Sequence, residues 1–269
     1  MSESSSLLID PRRLHGLLTE AGGRFDVVAV TECASTNTEL MRRAAAGAPS
    51  GTALVADRQT AGRGSRGRSW TSSPDASLTF SVLWTFSGGL ARLSGLSLAA
   101  GVAVARALAR CGAAGVTLKW PNDVLHGEAK LGGILVELGA DGETARAVVG
   151  VGLNLRLPRG VGETGAAGLP PAALDGIVAA LPDRHVLLAA LLDELARAFD
   201  RFEREGFAGL RDAWQALHAW QDRPVRLLRD GRVEKEGVCA GADADGALLL
   251  RTAGGLERCL SGDVSLRPR

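Results

Sequence analysis

The chain has 269 residues and a formal net charge of +1, a length that permits one large domain or a large domain with a smaller one. This near-neutral balance excludes a global basic field for nucleic acid. The longest apolar stretch, Leu96–Ala109, is interrupted by Arg106 and is too short to cross a membrane, and the N-terminus lacks the charged start and apolar run of a signal peptide. We therefore predict a cytoplasmic protein without a membrane partner.

Periodicity and turn residues predict the elements of the chain in order. Residues 1–25 form a polar tail with a helix over Pro11–Ala21. Residues 26–221 contain predicted strands at Val27–Val30, Thr52–Ala56, Leu78–Trp84, Val116–Trp120 and Ala145–Leu155, a hairpin over Val124–Leu138, helices at Ser35–Ala46, Leu93–Arg110, Asp183–Glu205 and Leu210–Trp220, and irregular segments at Gln59–Ser69 and 158–182. Because the strands come in pairs without regular crossover helices, we expect an α+β fold with a mixed or antiparallel sheet flanked by helices.

The C-terminal residues 222–269 have a different pattern. Short apolar runs at Val225–Leu228, Val238–Cys239 and Ala247–Leu250 are separated by Asp230-Gly231 and Asp245-Gly246. Those two dipeptides favour tight hairpins. We predict a small β-barrel domain here.

Glycines alternate with arginines in the segment QTAGRGSRGRSW, residues 59–70. Glycine lets the backbone approach an anion closely, and arginine offers bidentate donors to phosphate or carboxylate. The segment matches neither the Walker pattern nor the dinucleotide fingerprint. At this point the segment can be interpreted either as a loop that binds a phosphate-bearing ligand or as a flexible loop that binds nucleic acid.

Lysine is scarce in this chain and occurs only at Lys119, Lys130 and Lys235. Lys119 begins the motif KWPND, in which a strand ends in a rigid turn that presents Asn122 and Asp123. Lys130 begins KLGGIL, whose glycines allow a ligand to lie against the backbone. Asp123 can contact Mg²⁺, accept a proton or close an Asx turn. Lys130 is either a residue of a ligand-binding site or a surface lysine that precedes a core strand.

Two further motifs contain the other asparagines. The motif STN, residues 35–37, begins a helix, where small polar groups either cap the helix or bind a polar ring. The motif GVGLN, residues 150–154, places glycines in a strand, which indicates close approach of a ligand or tight packing.

The ordered set STN, QTAGRGSRGRSW, KWPND, KLGGIL and GVGLN resembles the biotin–protein ligase family, closely over Val27–Leu155 and more weakly beyond it. The resemblance implies a class II synthetase-like catalytic domain and a C-terminal SH3-like barrel. It implies an enzyme that activates biotin with ATP and Mg²⁺ to biotinyl-5′-adenylate, releasing pyrophosphate. Biotin then passes to a lysine of a biotin carboxyl carrier protein domain, with release of AMP, and no bound prosthetic group is implied.

Carried over by position, the resemblance implies a role for each motif residue. The implied biotin pocket consists of Ser35, Thr36, Asn37, Gln59, Arg63, Gly64, Ser65, Lys130 and Gly133. The implied ATP contacts are Arg66, Arg68, Trp70, Lys119, Asn122 and Asn154. The implied catalytic residues are Lys130, Arg63, Lys119 and Asp123, with Asp123 a candidate for a Mg²⁺ contact or for accepting the proton of the carrier amine. The expected carrier belongs to a biotin-dependent carboxylase.

The chain departs from the family pattern in two places. Ser65 stands where an arginine is common, so we expect a looser cover over the adenylate. Residues 1–26 are too few for the winged helix-turn-helix module of relatives that repress transcription, which predicts a ligase without DNA binding. The family pattern allows a monomer or a weak homodimer, since an edge strand of the sheet can pair between subunits.

Other classes of protein stay open on the residues alone. A lipoate or octanoyl ligase or transferase has a similar fold, but it would use a single motif lysine and, in some cases, a catalytic cysteine. An RNA- or single-strand-binding module is disfavoured by the net charge of +1 and the absence of tyrosine. A carrier-binding scaffold would not need the lysines and asparagines to converge.

Overall fold

The computed structural model describes residues 7–141, 144–157, 169–229, 231–260 and 264–269. Within them the helices are α1 (Pro11–His15), α2 (Thr36–Ala45), α3 (Leu96–Arg110), α4 (Arg184–Glu205) and α5 (Arg211–Leu217). The strands are β1 (Asp26–Cys33), β2 (Thr52–Gln59), β3 (Ser77–Ser87), β4 (Val116–Lys119), β5 (Asp123–His126), β6 (Ala129–Asp141), β7 (Thr144–Asn154), β8 (Pro224–Arg229), β9 (Arg232–Ala242), β10 (Leu248–Thr252), β11 (Gly255–Cys259) and β12 (Val264–Pro268).

The first seven strands form one sheet in the order β1-β2-β3-β7-β6-β5-β4. Strands β1 and β2 are parallel and the other pairs are antiparallel, so the predicted mixed sheet is confirmed. Side chains alternate between the two faces of a strand. On β3, Phe80 and Val82 face the main core, which contains α3 and α4, whereas Leu83 packs with Leu40 of α2 on the opposite face.

Two predicted helices end earlier in the structure, and α3 begins at Leu96 instead of Leu93. The first ends at His15 instead of Ala21, because the backbone N–H groups of Thr19 and Gly22 are held by Asp193 Oδ1 of α4, each at 3.1 Å. Helix α5 ends at Leu217 instead of Trp220, since the backbone N–H of Ala219 donates to the carbonyl of Leu118 at 2.9 Å. Of the predicted loop 158–182, residues 158–168 lie outside the described residues, and Leu174–Gly176 forms a 3₁₀ turn.

One segment, Leu90–Arg110, is long and apolar enough to cross a membrane by length and composition alone. Its most apolar window is 61% buried inside the fold. The contacts of α3 with α4 and with strands β4, β5 and β6 account for this burial. The apolar surface of this segment is therefore core surface.

Strands β8 to β12 form the second, antiparallel sheet, in the order β11-β10-β9-β8-β12, which agrees with the predicted small SH3-like domain. The predicted Asp245-Gly246 turn joins β9 to β10, whereas Asp230 of the other predicted turn lies outside the described residues. The carbonyl of Gly246 accepts a hydrogen bond from Trp120 Nε1 at 3.0 Å. The second sheet is thus fixed directly to the KWPND motif.

Candidate active site

A cavity of about 420 Å³ lies over strands β3, β6 and β7 and beneath the glycine–arginine loop, residues 62–70. The sequence-predicted site residues that line it are Ser35, Thr36, Asn37, Gln59, Arg63, Gly64, Ser65, Arg68, Trp70, Asn122, Lys130, Gly133 and Asn154. Three other predicted site residues, Arg66, Lys119 and Asp123, do not line it. Separate sequence motifs therefore converge on one cavity, with two buried charged residues behind it.

The register of β3 with β7 gives the cavity two ends. Ser81 pairs with Gly150, and Ser77 pairs with Asn154. Four residues of extended strand separate these pairs by about 13 Å. We call the Ser81 side the polar end and the Asn154 side, where Lys130 lies, the cationic end.

The polar end is a hydrogen-bond network of neutral side chains. Ser81 Oγ lies 2.7 Å from Thr36 Oγ1 and 2.6 Å from Asn37 Oδ1. Gln59 Oε1 accepts from the backbone N–H of Thr36 at 2.7 Å and from its hydroxyl at 3.1 Å. Ser35 caps α2 by accepting from the N–H of Thr38. The network orients neutral polar groups toward one place and carries no net charge.

Glu137 is a site residue that the sequence predictions missed. Its Oε2 accepts from Asn37 Nδ2 at 3.0 Å, and its Oε1 pairs with Arg63 Nη1 at 2.8 Å. The carboxylate of Glu137 therefore orients Asn37 and links the glycine–arginine loop to the polar end. Ser81 was also missed, although a single serine in the apolar strand TFSVLW was a visible signal.

The two glycines of the GVG sequence are required by close packing. A Cβ atom on Gly150 would overlap Asn37 Oδ1, and a Cβ atom on Gly152 would lie 2.5 Å from Trp70 Cζ2. Glycine alone provides that space. Gly150 thus admits the pocket asparagine, and Gly152 admits the indole that covers the middle of the cavity.

The glycine–arginine loop is held by its own hydrogen bonds. The N–H of Gly64 donates to the carbonyl of Arg68 at 2.7 Å, and Arg68 Nη2 donates to Ser65 Oγ at 3.0 Å. Arg66 adopts a left-handed conformation with φ of 61°, which is uncommon for a residue other than glycine. This turn directs Arg68 into the cavity lining, whereas Arg66 stays outside it. The predicted contact of Arg66 with ATP is therefore corrected for this conformation of the loop.

Behind the cationic end, two lysines share one carboxylate. Lys130 Nζ lies 2.5 Å from Asp123 Oδ1, and Lys119 Nζ pairs with Asp123 Oδ2. Lys119 and Asp123 are each 2% exposed, while Lys130 reaches the cavity. Lys119 also lies 5.6 Å from the ring centroid of Trp220. The predicted direct contact of Lys119 with ATP phosphates is corrected by this burial.

The pKa values of the buried pair follow from burial and charge. Burial acts to raise the pKa of Asp123, but the charges of Lys119 and Lys130 outweigh it and hold that pKa well below its usual range. Burial lowers the pKa of Lys119 to about 8, against the opposing effect of Asp123. Asp123 therefore stays ionised with both oxygens engaged, which suits neither a Mg²⁺ ligand nor a proton acceptor.

No group of three or more histidine, cysteine, aspartate or glutamate side chains with metal-binding geometry occurs among the residues that the structure describes. The buried carboxylate of Asp123 beside the cavity is already neutralised by two ammonium groups. The donor set of the described residues therefore does not fit a resident metal ion.

Two asparagines complete the cationic end. Asn154 Nδ2 donates to the carbonyls of Lys130 at 3.3 Å and Ala172 at 3.0 Å, which fixes the start of the KLGGIL strand. Asn122 Nδ2 donates to the carbonyl of Ile134 at 2.8 Å. Within the described part of the chain, Asn122 Oδ1 and Trp70 Nε1 are buried without a hydrogen-bond partner. Buried groups of this kind cost free energy unless a ligand or water satisfies them.

Arg267 of β12 does not line the cavity, but it is near enough to two site residues for their charges to affect it. Burial lowers its pKa, the charge of Asp123 opposes that effect, and the charge of Arg68 adds to it. The guanidinium therefore lies within electrostatic reach of both site residues. Sequence reasoning missed it because no motif singles out one arginine in a chain this rich in arginine.

Comparison with known proteins agrees with this geometry. Residues 29–154 match the model of the biotin/lipoate A/B protein ligase family, and residues 222–267 match the biotin protein ligase C-terminal domain. The chain is 39% identical to the bifunctional ligase/repressor BirA of Salmonella typhimurium over 97% of this chain and 79% of that protein. It is 36% identical to the biotin–[acetyl-CoA-carboxylase] ligase of Mycobacterium tuberculosis over 95% of each.

The chain belongs to the biotin–protein ligase family. It is therefore a ligase, as the motifs predicted. A solved biotin protein ligase from Aquifex aeolicus, in complex with biotin and ATP, superposes with a TM-score of 0.77 at 31% identity, over 91% of this chain and 99% of that one. The predicted fold class is confirmed by this likeness.

Proposed function

We propose that this biotin–protein ligase activates biotin with ATP to biotinyl-5′-adenylate, releasing pyrophosphate, and transfers biotin to a lysine of a biotin carboxyl carrier protein domain, releasing AMP. The observation that carries the proposal is the cavity with a neutral polar end and a cationic end about 13 Å apart. A ligand with a polar ring at one end and a carboxylate at the other matches that arrangement.

The polar end is proposed to bind the ureido ring. Its two N–H groups and one carbonyl can be satisfied by hydroxyl and amide groups in a dry pocket, where an unpaired group costs about 1–3 kcal/mol. The proposed biotin contacts are Ser35, Thr36, Asn37, Gln59, Arg63, Gly64, Ser65, Lys130 and Gly133, and all of them line the cavity. The valeryl chain then points along β7 toward Lys130.

Adenylation is proposed to occur at the cationic end. The biotin carboxylate attacks the α-phosphate of ATP, which arrives as its magnesium complex, a bond forms to phosphorus, and pyrophosphate leaves with the electron pair of the broken bond. Lys130 and Arg68 neutralise charge as it moves between these groups. Trp70, Asn122 and Asn154 are proposed to hold the nucleotide, and Arg63 is proposed to hold the loop closed through Glu137.

Asp123 and Lys119 are proposed to act through Lys130 and not on substrate. Asp123 fixes the ammonium of Lys130 from behind, and Lys119 keeps Asp123 ionised. In the second step the neutral carrier amine attacks the mixed anhydride, the acyl–oxygen bond breaks, AMP leaves and the amine proton passes to solvent. Positioning is the main contribution of the protein to this step.

The carrier is proposed to be a domain of a biotin-dependent carboxylase, without a DNA partner. We place the enzyme in the cytoplasm, because Cys33, Cys111, Cys239 and Cys259 are all free thiols, which is usual in a reducing compartment. A monomer or a weak homodimer is proposed as the assembly.

The test is pyrophosphate release from Mg·ATP with biotin, lipoate or octanoate as the acid. We expect release with biotin alone, because the polar end has donors and acceptors for a ureido ring. Release with lipoate or octanoate instead would place the chain with the lipoyl enzymes. No release with any acid would refute an activating function.

Replacing Gly150 by alanine is expected to weaken biotin binding by at least about tenfold, or 1.4 kcal/mol, because the new methyl group would displace Asn37. Calorimetric titration with biotin measures the effect. Gly139→Ala is the matched control, since it lies on the neighbouring strand and its new Cβ would have only Met41 Cε, at 3.9 Å, within reach. Equal affinities of the two variants would contradict the assignment of the polar end.

Replacing Ser65 by arginine is expected to slow release of the adenylate by about tenfold, since one charge-assisted hydrogen bond is worth at least that factor. The serine now only accepts from Arg68. Ser65→Ala removes that contact without adding a cation and serves as the control. The rate at which labelled adenylate leaves the enzyme is measured, and equal rates for wild type and Ser65→Arg would refute the looser cover.

A further inference from the structure

Arg184, the first residue of α4, contacts a turn that borders the cavity. Its Nη1 donates to the carbonyl of Ser77 at 3.0 Å, and its Nη2 donates to the carbonyl of Pro74. The side chain is half-buried. One guanidinium therefore holds both ends of the turn Pro74–Ser77.

That turn belongs to the cationic end of the cavity. Ser73, Ala76 and Ser77 line the cavity. The carbonyl of Ala76 accepts from the backbone N–H groups of Leu155, at 2.8 Å, and Arg156, at 3.1 Å, directly after Asn154. The hydroxyl of Ser77 donates to the carbonyl of Ser73 at 2.9 Å and closes the turn. Movement of the turn would thus displace the chain that carries Asn154.

The stability of α4 does not account for an arginine at this position. A cation in the first turn of a helix opposes the helix dipole. The charge is instead balanced by Asp57 and Asp75, whose effects on Arg184 oppose the effect of its burial. Asp57 in turn accepts a hydrogen bond from the backbone N–H of Leu8 at 3.3 Å, so the N-terminal segment helps to hold the carboxylate that balances Arg184. The contacts of the guanidinium explain why it lies here.

We propose that Arg184 is a positioning residue that preforms the nucleotide side of the active site by fixing the Pro74–Ser77 turn, without acting on the biotin side. The proposal rests on the function proposed above, in which ATP binds at the cationic end. The polar end, built by Ser81, Asn37 and Gln59, shares no contact with Arg184. Loss of the guanidinium should therefore weaken the binding of ATP and leave the binding of biotin unchanged.

The experiment compares Arg184→Met, Arg184→Lys and the control Arg201→Met. Arg201 lies on the same helix, exposed and paired with Glu205 at 3.3 Å. The readouts are the calorimetric Kd for biotin and for ATP, the KM for ATP in pyrophosphate release, and the denaturation midpoint. We expect Arg184→Met to raise the Kd and KM for ATP about tenfold, with the Kd for biotin unchanged. Loss of a charge-assisted hydrogen bond lowers the population of the ordered turn by about that factor, and the apparent affinity for ATP falls with it.

Arg184→Lys should recover part of the ATP affinity, because an ammonium can still donate to one of the two carbonyls. This variant decides the question if Arg184→Met fails to fold. An unchanged Kd for ATP, or an equal loss for ATP and biotin, would overturn the proposal and leave Arg184 a purely structural residue. Failure of the proposed function is seen separately, as a wild type that binds ATP but releases no pyrophosphate with biotin.

Discussion

Lys130→Ala is expected to reduce biotin-dependent pyrophosphate release by about 10²–10³-fold, the usual cost of removing one group that stabilises developing charge. Lys130 is the lysine that both lines the cavity and pairs with Asp123. In the proposed mechanism, charge moves from carboxylate to phosphate beside its ammonium. Biotin binding should persist, because the polar end is intact in this variant.

The matched control is Lys235→Ala. Lys235 lies on β9, pairs with Glu257 and is remote from the cavity lining. Pyrophosphate release and calorimetric biotin affinity are measured for wild type and both variants. A Lys130→Ala enzyme that changed only the KM for biotin, with the same kcat, would show that Lys130 binds the carboxylate in the ground state and does not act in the transition state.

Asp123→Asn is expected to lower the free energy of unfolding by about 3 kcal/mol, because it leaves the buried ammonium of Lys119 without a counter-ion. Lys119 is 2% exposed, so water cannot replace the lost partner. The double variant Lys119→Met with Asp123→Asn should recover most of the stability. Denaturant unfolding measures both, and a double variant as unstable as Asp123→Asn would contradict the assigned pairing.

In the double variant Lys119→Met with Asp123→Asn, stability should recover while activity stays low. In the proposed mechanism, adenylation depends on Asp123 to fix Lys130. The double variant should therefore fold well and still release pyrophosphate slowly. Full activity in the double variant would show that Lys130 needs no support from behind. The two readouts therefore distinguish a positioning carboxylate from a residue that only stabilises the fold.

The stability lost in Asp123→Asn is expected to depend on pH. The pKa of Lys119 is about 8 in the folded wild type and 10.5 in its ordinary state, so between these values the unfolded chain binds more protons and stability rises with pH. Without Asp123 the folded pKa falls further. The stability gap between wild type and Asp123→Asn should thus narrow as pH rises toward 8 and stay constant above it, as measured by unfolding at a series of pH values.

Sequence motifs named part of the cavity lining, because each motif is local. Glycine spacing, a capped helix start and a lysine before two glycines each report on a few neighbouring residues. The pairing of Lys119 with Asp123 was also within reach, since a hairpin that turns through Trp120 and Pro121 places these residues opposite each other. Their burial was not within reach, because Trp220, which lies against Lys119, comes from far along the chain.

Glu137 and Arg184 were missed for the same reason, since distant parts of the chain give them their roles. Glu137 is an ordinary acidic residue in a strand until Asn37 and Arg63 reach it from α2 and the loop. Arg184 begins a predicted amphipathic helix and gives no sign that it serves a turn near residue 74. Contacts made by unremarkable residues across a sheet are set by packing, which a single sequence does not display.

The scarcity of lysine has a chemical consequence for an enzyme that makes a reactive acyl phosphate. Such an anhydride acylates any neutral amine that it meets. Lys119 is enclosed, Lys130 is held by Asp123, and the bond from Glu257 raises the pKa of Lys235, which keeps its amine protonated. The protein thus offers its own intermediate almost no reactive side-chain amine, and self-biotinylation on lysine is expected to be rare.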